Sequence, residues 1–371
     1  MGTAVWYRPR MRTLGGPHSG TADHPSLRTI GLGLLFAWAL VAVCLPRFNR
    51  RDVLWSHRVF GTGVSSTVDL ADARHYVAYV QYFRHERGAE DLRAPFTYRP
   101  IGPLLAAWLP FDPMTALNVV NVVALLVALA LLDRVLAGLG CAGPQRAGGA
   151  ALFTFSFPVF YYGAIGYVDP VGIAFLMAGA LLVVRQRWLP LAAVLVLGAL
   201  AKETTIVLLP AAIARLLVSG RSRGQCLALA SVLCGCYAAA ALLVRYLAPG
   251  VHTYVWEPSL NTLAMNLSRP RAWLTLALSL GLPGILSLRA LPGLLRRRTP
   301  TTDPALAALS AGYAAALAAF LCSLVAAYAD GRFIWLSYPF AIPLAMSRGM
   351  LVRGPGGHAS VSSQKGAAGT A

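Results

Sequence analysis

The sequence predicts an all-α fold: a multi-pass transmembrane bundle of about ten helices, with an extracytoplasmic first loop that carries a membrane-surface helix. Three observations predict it. Hydrophobic residues make up 57% of the chain and charged ones 12%, a balance that suits lipid and not a water-soluble domain. Apolar runs recur along the chain at spanning or near-spanning length. Basic residues fall in the short connections on one side of those runs.

The formal charge of +18 would suggest nucleic acid in a soluble protein. Here the arginines sit in short loops between apolar runs, with no basic-aromatic groove, so no nucleic-acid partner is expected. Residues 1–28 carry Arg8, Arg10, Arg12 and Arg28 among Gly, Pro and Ser, the composition of a disordered, cytoplasmic basic tail. No small-x-small cleavage site clearly follows the run 29–46, which reads as a retained first helix. The integral membrane domain then spans 29–350, and residues 351–371 form a second disordered cytoplasmic tail.

Nine further apolar segments follow, near 115–137, 148–162, 168–184, 188–201, 204–219, 225–247, 271–288, 304–328 and 333–347. With the N-terminus inside, Arg134, Arg146, Arg185, Arg187, Arg215, Arg221, Arg223, Arg289, Arg348 and Arg353 all face the cytoplasm, as the positive-inside rule asks. Only Asp23, Asp133 and Asp303 of the fourteen acids then lie within. The six cysteines lie in or beside apolar runs and read as small buried hydrophobes.

The long loop 47–114 is thereby extracytoplasmic. Within it Asp69, Asp72, Tyr76, Tyr79, Val80 and Phe83 recur at helical spacing. An apolar helix face thus runs on into two carboxylates, which would point at the bundle if the helix lay on the membrane surface. Asp69 as an N-cap and Asp72 as a first-turn acid explain the same residues without chemistry. Both readings stand.

The segments 148–162 and 188–201 are short, about 21–23 Å of helix against a hydrocarbon core of about 30 Å. Each ends at an outer polar turn, Tyr161 through Asp169-Pro170 and Lys202-Glu203-Thr204-Thr205. Charge at that depth is tolerated where it lines a cavity or is buried in protein. A pocket open to the outer side and floored by Asp169 and Lys202 is expected. Asp169-Pro170 also fits an N-cap before a helix-opening proline. Lys202 and Glu203 have no such role in helix formation. Asp330 and Arg332 lie in a further outer turn, where a surface ion pair is an adequate account. His57, His75, His85 and His252 match no metal-binding spacing, Trp256-Glu257 fits an interfacial anchor, and no Gly-rich phosphate loop follows a strand.

The order of these features resembles the GT-C superfamily of integral-membrane glycosyltransferases, which use polyprenyl-phosphate-linked sugars. The resemblance spans roughly 30–345 and rests on Asp69-Leu-Ala-Asp72-Ala-Arg-His-Tyr76, on Pro95-Phe-Thr-Tyr98-Arg99-Pro100, on Gly-Ala-Leu-Ala-Lys202-Glu203-Thr, and on Asp330-Gly-Arg332 with Tyr338-Pro339. In that superfamily a Gly-x-Asp-x-Tyr type pattern in the first outer loop supplies the catalytic acid. Asp72 through Tyr76 is the nearest match here, without the glycine, and Asp69 is the alternative.

The resemblance implies an enzyme of the plasma (inner) membrane, acting on its outer side. It would move a sugar from a polyprenyl-phosphate donor to a hydroxyl of a glycan, lipid or protein acceptor, with no metal and no cofactor. Asp72 or Asp69 would deprotonate the acceptor. Arg99, Lys202 and Arg332 would bind the donor phosphate, and Tyr76, Asp169, Glu203 and Asp330 would line the pocket. With no second nucleophile assigned, the transfer would invert the anomeric centre. A secondary transporter with an intramembrane site is the rival reading. Against it, the polar groups gather at one face and the chain shows no repeated half.

Overall fold

A computed structural model describes residues 27–48, 71–254, 258–296 and 303–352. The two expected tails lie almost wholly outside them, as do Asp69, His57 and the Trp256-Glu257 pair. The described chain is all-α, with fifteen α-helices and no strand among its residues.

In order these are α1 (Leu27–Cys44), α2 (Ala71–Phe83), α3 (Ile101–Ala107), α4 (Pro113–Gly138), α5 (Gly143–Thr154), α6 (Phe157–Tyr162), α7 (Asp169–Val184) and α8 (Trp188–Ala201). Then come α9 (Leu208–Leu217), α10 (Arg223–Leu247), α11 (Leu260–Leu267), α12 (Pro270–Arg296), α13 (Pro304–Ala326), α14 (Arg332–Trp335) and α15 (Tyr338–Val352).

Among the described residues, five stretches are long and apolar enough to cross a membrane: Ile30–Arg47, Pro113–Gly138, Arg223–Leu247, Pro270–Leu288 and Pro304–Ala326. The other apolar segments are short or broken. Residues 148–162 divide at Phe155-Ser156 into α5 and α6, and a 3-10 turn over Glu203–Val207 precedes α9. Helix starts follow local chemistry. Asp112 accepts from the N–H groups of Met114 and Thr115 ahead of α4, Ser222 caps α10, and Asp303 accepts from Ala305 ahead of α13. Each satisfies N–H groups that a helix cannot satisfy itself.

The core joins Leu40, Leu132, Phe153, Leu176, Leu208 and Phe340 from six helices. The outside is equally apolar: Trp38, Leu189 and Tyr246 are 71%, 83% and 85% exposed. A water-soluble protein would cover such side chains, whereas a bilayer solvates them. α7 packs against α4 and α8, α8 against α10, and α12 against α15. Because α7 and α8 run antiparallel, the start of one and the end of the other share one end of the bundle.

Two tethers fix the first loop over that end. Arg84, just past α2, donates to the carbonyls of Ala106, Ala107 and Leu109 at 3.2, 3.3 and 2.7 Å, a cationic cap on the last turn of α3. Arg93 and Val251 form a parallel bridge through Ala94 N–H to Val251 O and Val251 N–H to Leu92 O, both 2.9 Å. The expected helix in this loop therefore exists as α2, seated on α3.

Candidate functional site

Each expected site residue among the described ones reaches the same end of the bundle. Asp169 opens α7 and Lys202 follows the last residue of α8. A carboxylate at a helix N-terminus and an ammonium at a C-terminus each meet the favourable end of a helix dipole. They also meet each other, Lys202 Nζ donating to Asp169 Oδ1. Both residues are about 95% buried, at 4% and 5% exposure. The N-cap of α7 is Val168, not Asp169, and the Asp169 side chain makes no cap bond. The capping account of Asp169-Pro170 gives way to a buried ion pair.

The next residue turns the other way. Glu203 receives both Arg99 Nε, at 2.8 Å, and Arg99 Nη2 in a two-pronged pair. Arg99 Nη1 also donates to the Tyr76 hydroxyl at 2.5 Å. Tyr76 is buried edge-on against Phe96, with ring centres 5.5 Å apart. Burial pushes its phenol well above the ordinary value, outweighing the opposing pull of the Arg99 charge, so the hydroxyl stays protonated. Arg99 thus ties α2 to the loop after α8.

Arg332 completes the layer. Its Nη1 donates to Asp72 Oδ2 at 2.5 Å, and its Nε to both oxygens of Asp330 at 3.1 Å. The guanidinium lies over the Tyr167 ring, 4.5 Å from its centre. Its side chain is only 12% exposed, so a surface ion pair does not describe it. Tyr167 thereby backs the Arg332 guanidinium with its ring face. Asn121 holds that tyrosine's carbonyl at 2.5 Å and Asn118 holds the Gly166 N–H at 2.6 Å. Gly166 has φ +80°, and a Cβ there would lie 2.7 Å from Met114 Sδ, so the turn needs glycine.

Around these pairs stand residues that sequence reasoning passed over. Arg47, 8% exposed, lies over the Tyr161 ring at 4.6 Å. Arg269 lies over Tyr328 at 3.2 Å. Asn266 donates to the Leu324 and Ala327 carbonyls and accepts from Ala329 N–H, holding the approach to Asp330. The signal for the arginines was present. In the N-inside topology that the charge bias predicts, Arg47, Arg269 and Arg271 fall at the outer ends of their spans, against that bias.

No family model, curated protein or solved structure matches this chain. The site stands on its own geometry.

Among the described residues, no three His, Cys, Asp or Glu side chains gather as a metal site would need. An apolar groove of about 600 Å³ between Ile206, Val207 and Pro210 and the α13 alanines has no charged side chain in its lining. The chemistry available is therefore that of the ionic layer: four carboxylates interleaved with three cations. Asp72 and Glu203 are the more open acids, their side chains 24% and 39% exposed against 6% for Asp169 and 17% for Asp330. An open carboxylate can reach a substrate hydroxyl. A buried one cannot.

Proposed function

We propose that this chain is an inverting glycosyltransferase of the plasma membrane, moving a sugar from a polyprenyl-phosphate donor to an acceptor hydroxyl on the extracytoplasmic side. In this reading the protein crosses the membrane ten times, with both termini cytoplasmic. The observation that carries it is the meeting of Asp72, from the first outer loop, with Arg332, at one end of an apolar bundle. A partly exposed carboxylate beside fixed cations is what the reaction requires. Asp72 removes the acceptor proton as its oxygen attacks the anomeric carbon. The bond to the donor phosphate oxygen breaks, and Arg332, Arg99 and Lys202 offset the charge that develops there. Their carboxylate partners hold the cations in place before the donor arrives, so little reorganisation accompanies transfer.

The gathering of charge at one end, and not at mid-bilayer, favours this reading over transport. The test is direct. The purified chain is incubated with polyprenyl-phosphate-linked sugars, and release of the lipid phosphate is measured with and without candidate acceptors. Release that depends on Asp72 supports the transferase. Solute uptake by proteoliposomes, with no release from any lipid-linked sugar, would overturn it.

A further inference from the structure

Tyr98 and Arg99 are neighbours in the chain, yet their side chains go to different places. Arg99 enters the ionic layer, bonding Glu203 and Tyr76, and Tyr76 lies one helical turn from Asp72 on α2. Tyr98 instead joins Ala94, Val244 and Ala248, with Leu200 packed against them. It stands where the first loop meets the end of α10.

Three further side chains converge on the Tyr98 ring. The His252 ring lies nearly parallel to it, at 23° with centres 6.4 Å apart. The Tyr254 ring meets it at 60°, with centres 5.9 Å apart. The Arg245 guanidinium lies over it, 5.8 Å from its centre. Tyr98 is only 8% exposed and braces the group. Tyr254 is 49% exposed, and Arg245 and His252 are exposed beside it.

The group is held from the first loop. Leu92, Ala94 and Val251 share the backbone bonds of the parallel bridge. Gly250, with φ +89°, sits so close to that loop that a Cβ would lie 2.5 Å from the Leu92 carbonyl oxygen. Only glycine allows the approach. Two distant segments are thereby fixed with their rings together at the surface.

A single exposed aromatic needs no explanation, but a braced group of rings with a guanidinium at its edge has a definite chemistry. Among the described residues neither Arg245 nor His252 has a carboxylate partner. The ring faces can take C–H groups, and the guanidinium and imidazole can bond hydroxyls. A pyranose offers both, an apolar face of C–H bonds and a rim of hydroxyls. A lipid tail offers nothing to the polar rim, and a small anion nothing to the ring faces.

We propose that Tyr254 and His252, braced by Tyr98 and edged by Arg245, dock the acceptor of the transfer, and that this acceptor is an oligosaccharide. That the bound sugar is the acceptor rests on the transferase reading, whereas its binding does not. Because Arg99 follows Tyr98 directly, the docked chain lies beside the ionic layer and can present a hydroxyl to it.

The experiment applies the labelled full chain, in nanodiscs, to an array of immobilised oligosaccharides built from neutral hexoses, pentoses and uronic acids, with peptides and long-chain alcohols as further spots. Oligosaccharides should retain the wild-type chain. Affinity for the best of them should fall about three- to tenfold in Tyr254→Ala, the share of one stacked ring, and by a similar factor in His252→Ala. Tyr254→Phe keeps the ring and should keep the binding.

The site falls if no oligosaccharide retains the chain, if only peptides or alcohols do, or if both alanine variants bind as the wild type does. The last result would make Tyr254 an interfacial anchor. Should a variant fail to fold, the wild-type chain decides. Bound oligosaccharide must then slow diethylpyrocarbonate modification of His252, read by mass spectrometry, and unaltered modification overturns the site. Release of lipid phosphate by the wild-type chain is measured apart. Sugar binding without release defeats the transferase and keeps the site, and release without sugar binding does the reverse.

Discussion

Asp72 and Arg332, 260 residues apart in sequence, share a hydrogen bond of 2.5 Å. The helix α2 and the turn that opens α14 are thereby joined at the ionic layer. Arg332 does not depend on Asp72 for its position, because Asp330 holds its Nε and its backbone N–H as well. The acid can be changed without losing the cation.

Asp72→Asn keeps an oxygen for Arg332 and removes the base. Turnover of a lipid-linked sugar should fall by about 10²–10⁴-fold, the span of one general base, while the thermal midpoint stays close to wild type. Asp69→Asn is the paired control, and a large loss there with none at Asp72 would move the base to Asp69. Near-normal turnover in the double variant would remove the base from this helix altogether.

Arg99 makes three side-chain bonds, two to Glu203 and one to Tyr76. Lysine keeps the charge but cannot form the fork. Arg99→Lys should cost about 1–3 kcal/mol of stability, towards the lower end because the Glu203 side chain is 39% exposed and solvent screens it. A thermal double-mutant cycle with Glu203→Gln should return most of that loss as coupling. Additive effects would mean that the pair contributes little.

How far was this site legible from the residues alone? The apolar runs and their short partners placed Asp169, Lys202 and Arg332 at one end, because helix length and charge bias are local signals. The helix carrying Asp72 was likewise readable from spacing. Pairing was not. Lys202 meets Asp169 and Arg99 meets Glu203 across 33 and 104 residues, and no local pattern says which carboxylate a cation will find. Asp169-Pro170 reads as a cap by composition, yet the turn shifts the cap to Val168. Asp330-Gly-Arg332 reads as a surface pair, but Tyr167 and Asp72 close over it from other elements.

Gly331 sits between the two charges of that turn, and its N–H donates to Thr275 Oγ1 at 3.2 Å. A Cβ there would lie 2.1 Å from Ser279 Oγ and 2.2 Å from the Thr275 carbonyl oxygen. Gly331→Ala must therefore displace the turn from α12, at a cost of about 1–3 kcal/mol, and should lower turnover without removing any charge. Adding Ser279→Ala should restore little, since the Thr275 backbone remains in the way. A thermal midpoint equal to wild type in Gly331→Ala would contradict this packing.

Sidedness is open to a chemical test. Glu90, in the first loop, and Ser222, ahead of α10, are both exposed and lie on opposite sides of the proposed topology. In a chain freed of its native cysteines, Glu90→Cys in intact cells should react with an impermeant maleimide. Ser222→Cys should react only after the membrane is opened. The reverse pattern would put the ionic layer on the cytoplasmic face and rule out an extracytoplasmic donor.

The Lys202–Asp169 pair is the most deeply buried of the layer, and its variants separate support from chemistry. Lys202→Met leaves the Asp169 carboxylate without its ammonium partner in a site with little water. Breaking a buried pair in this way costs about 3–5 kcal/mol, so the thermal midpoint should drop sharply. Lys202→Met with Asp169→Leu removes both charges, and such exchanges are often neutral or stabilising. The double variant should therefore recover most of the midpoint. Activity then decides the role. If sugar release returns with the fold, the pair only positions α7 against α8. If the fold returns and release does not, the ammonium acts on the donor phosphate, as proposed. A single variant as stable as wild type would show that the pair carries no buried charge worth the name, and both accounts of it would fail.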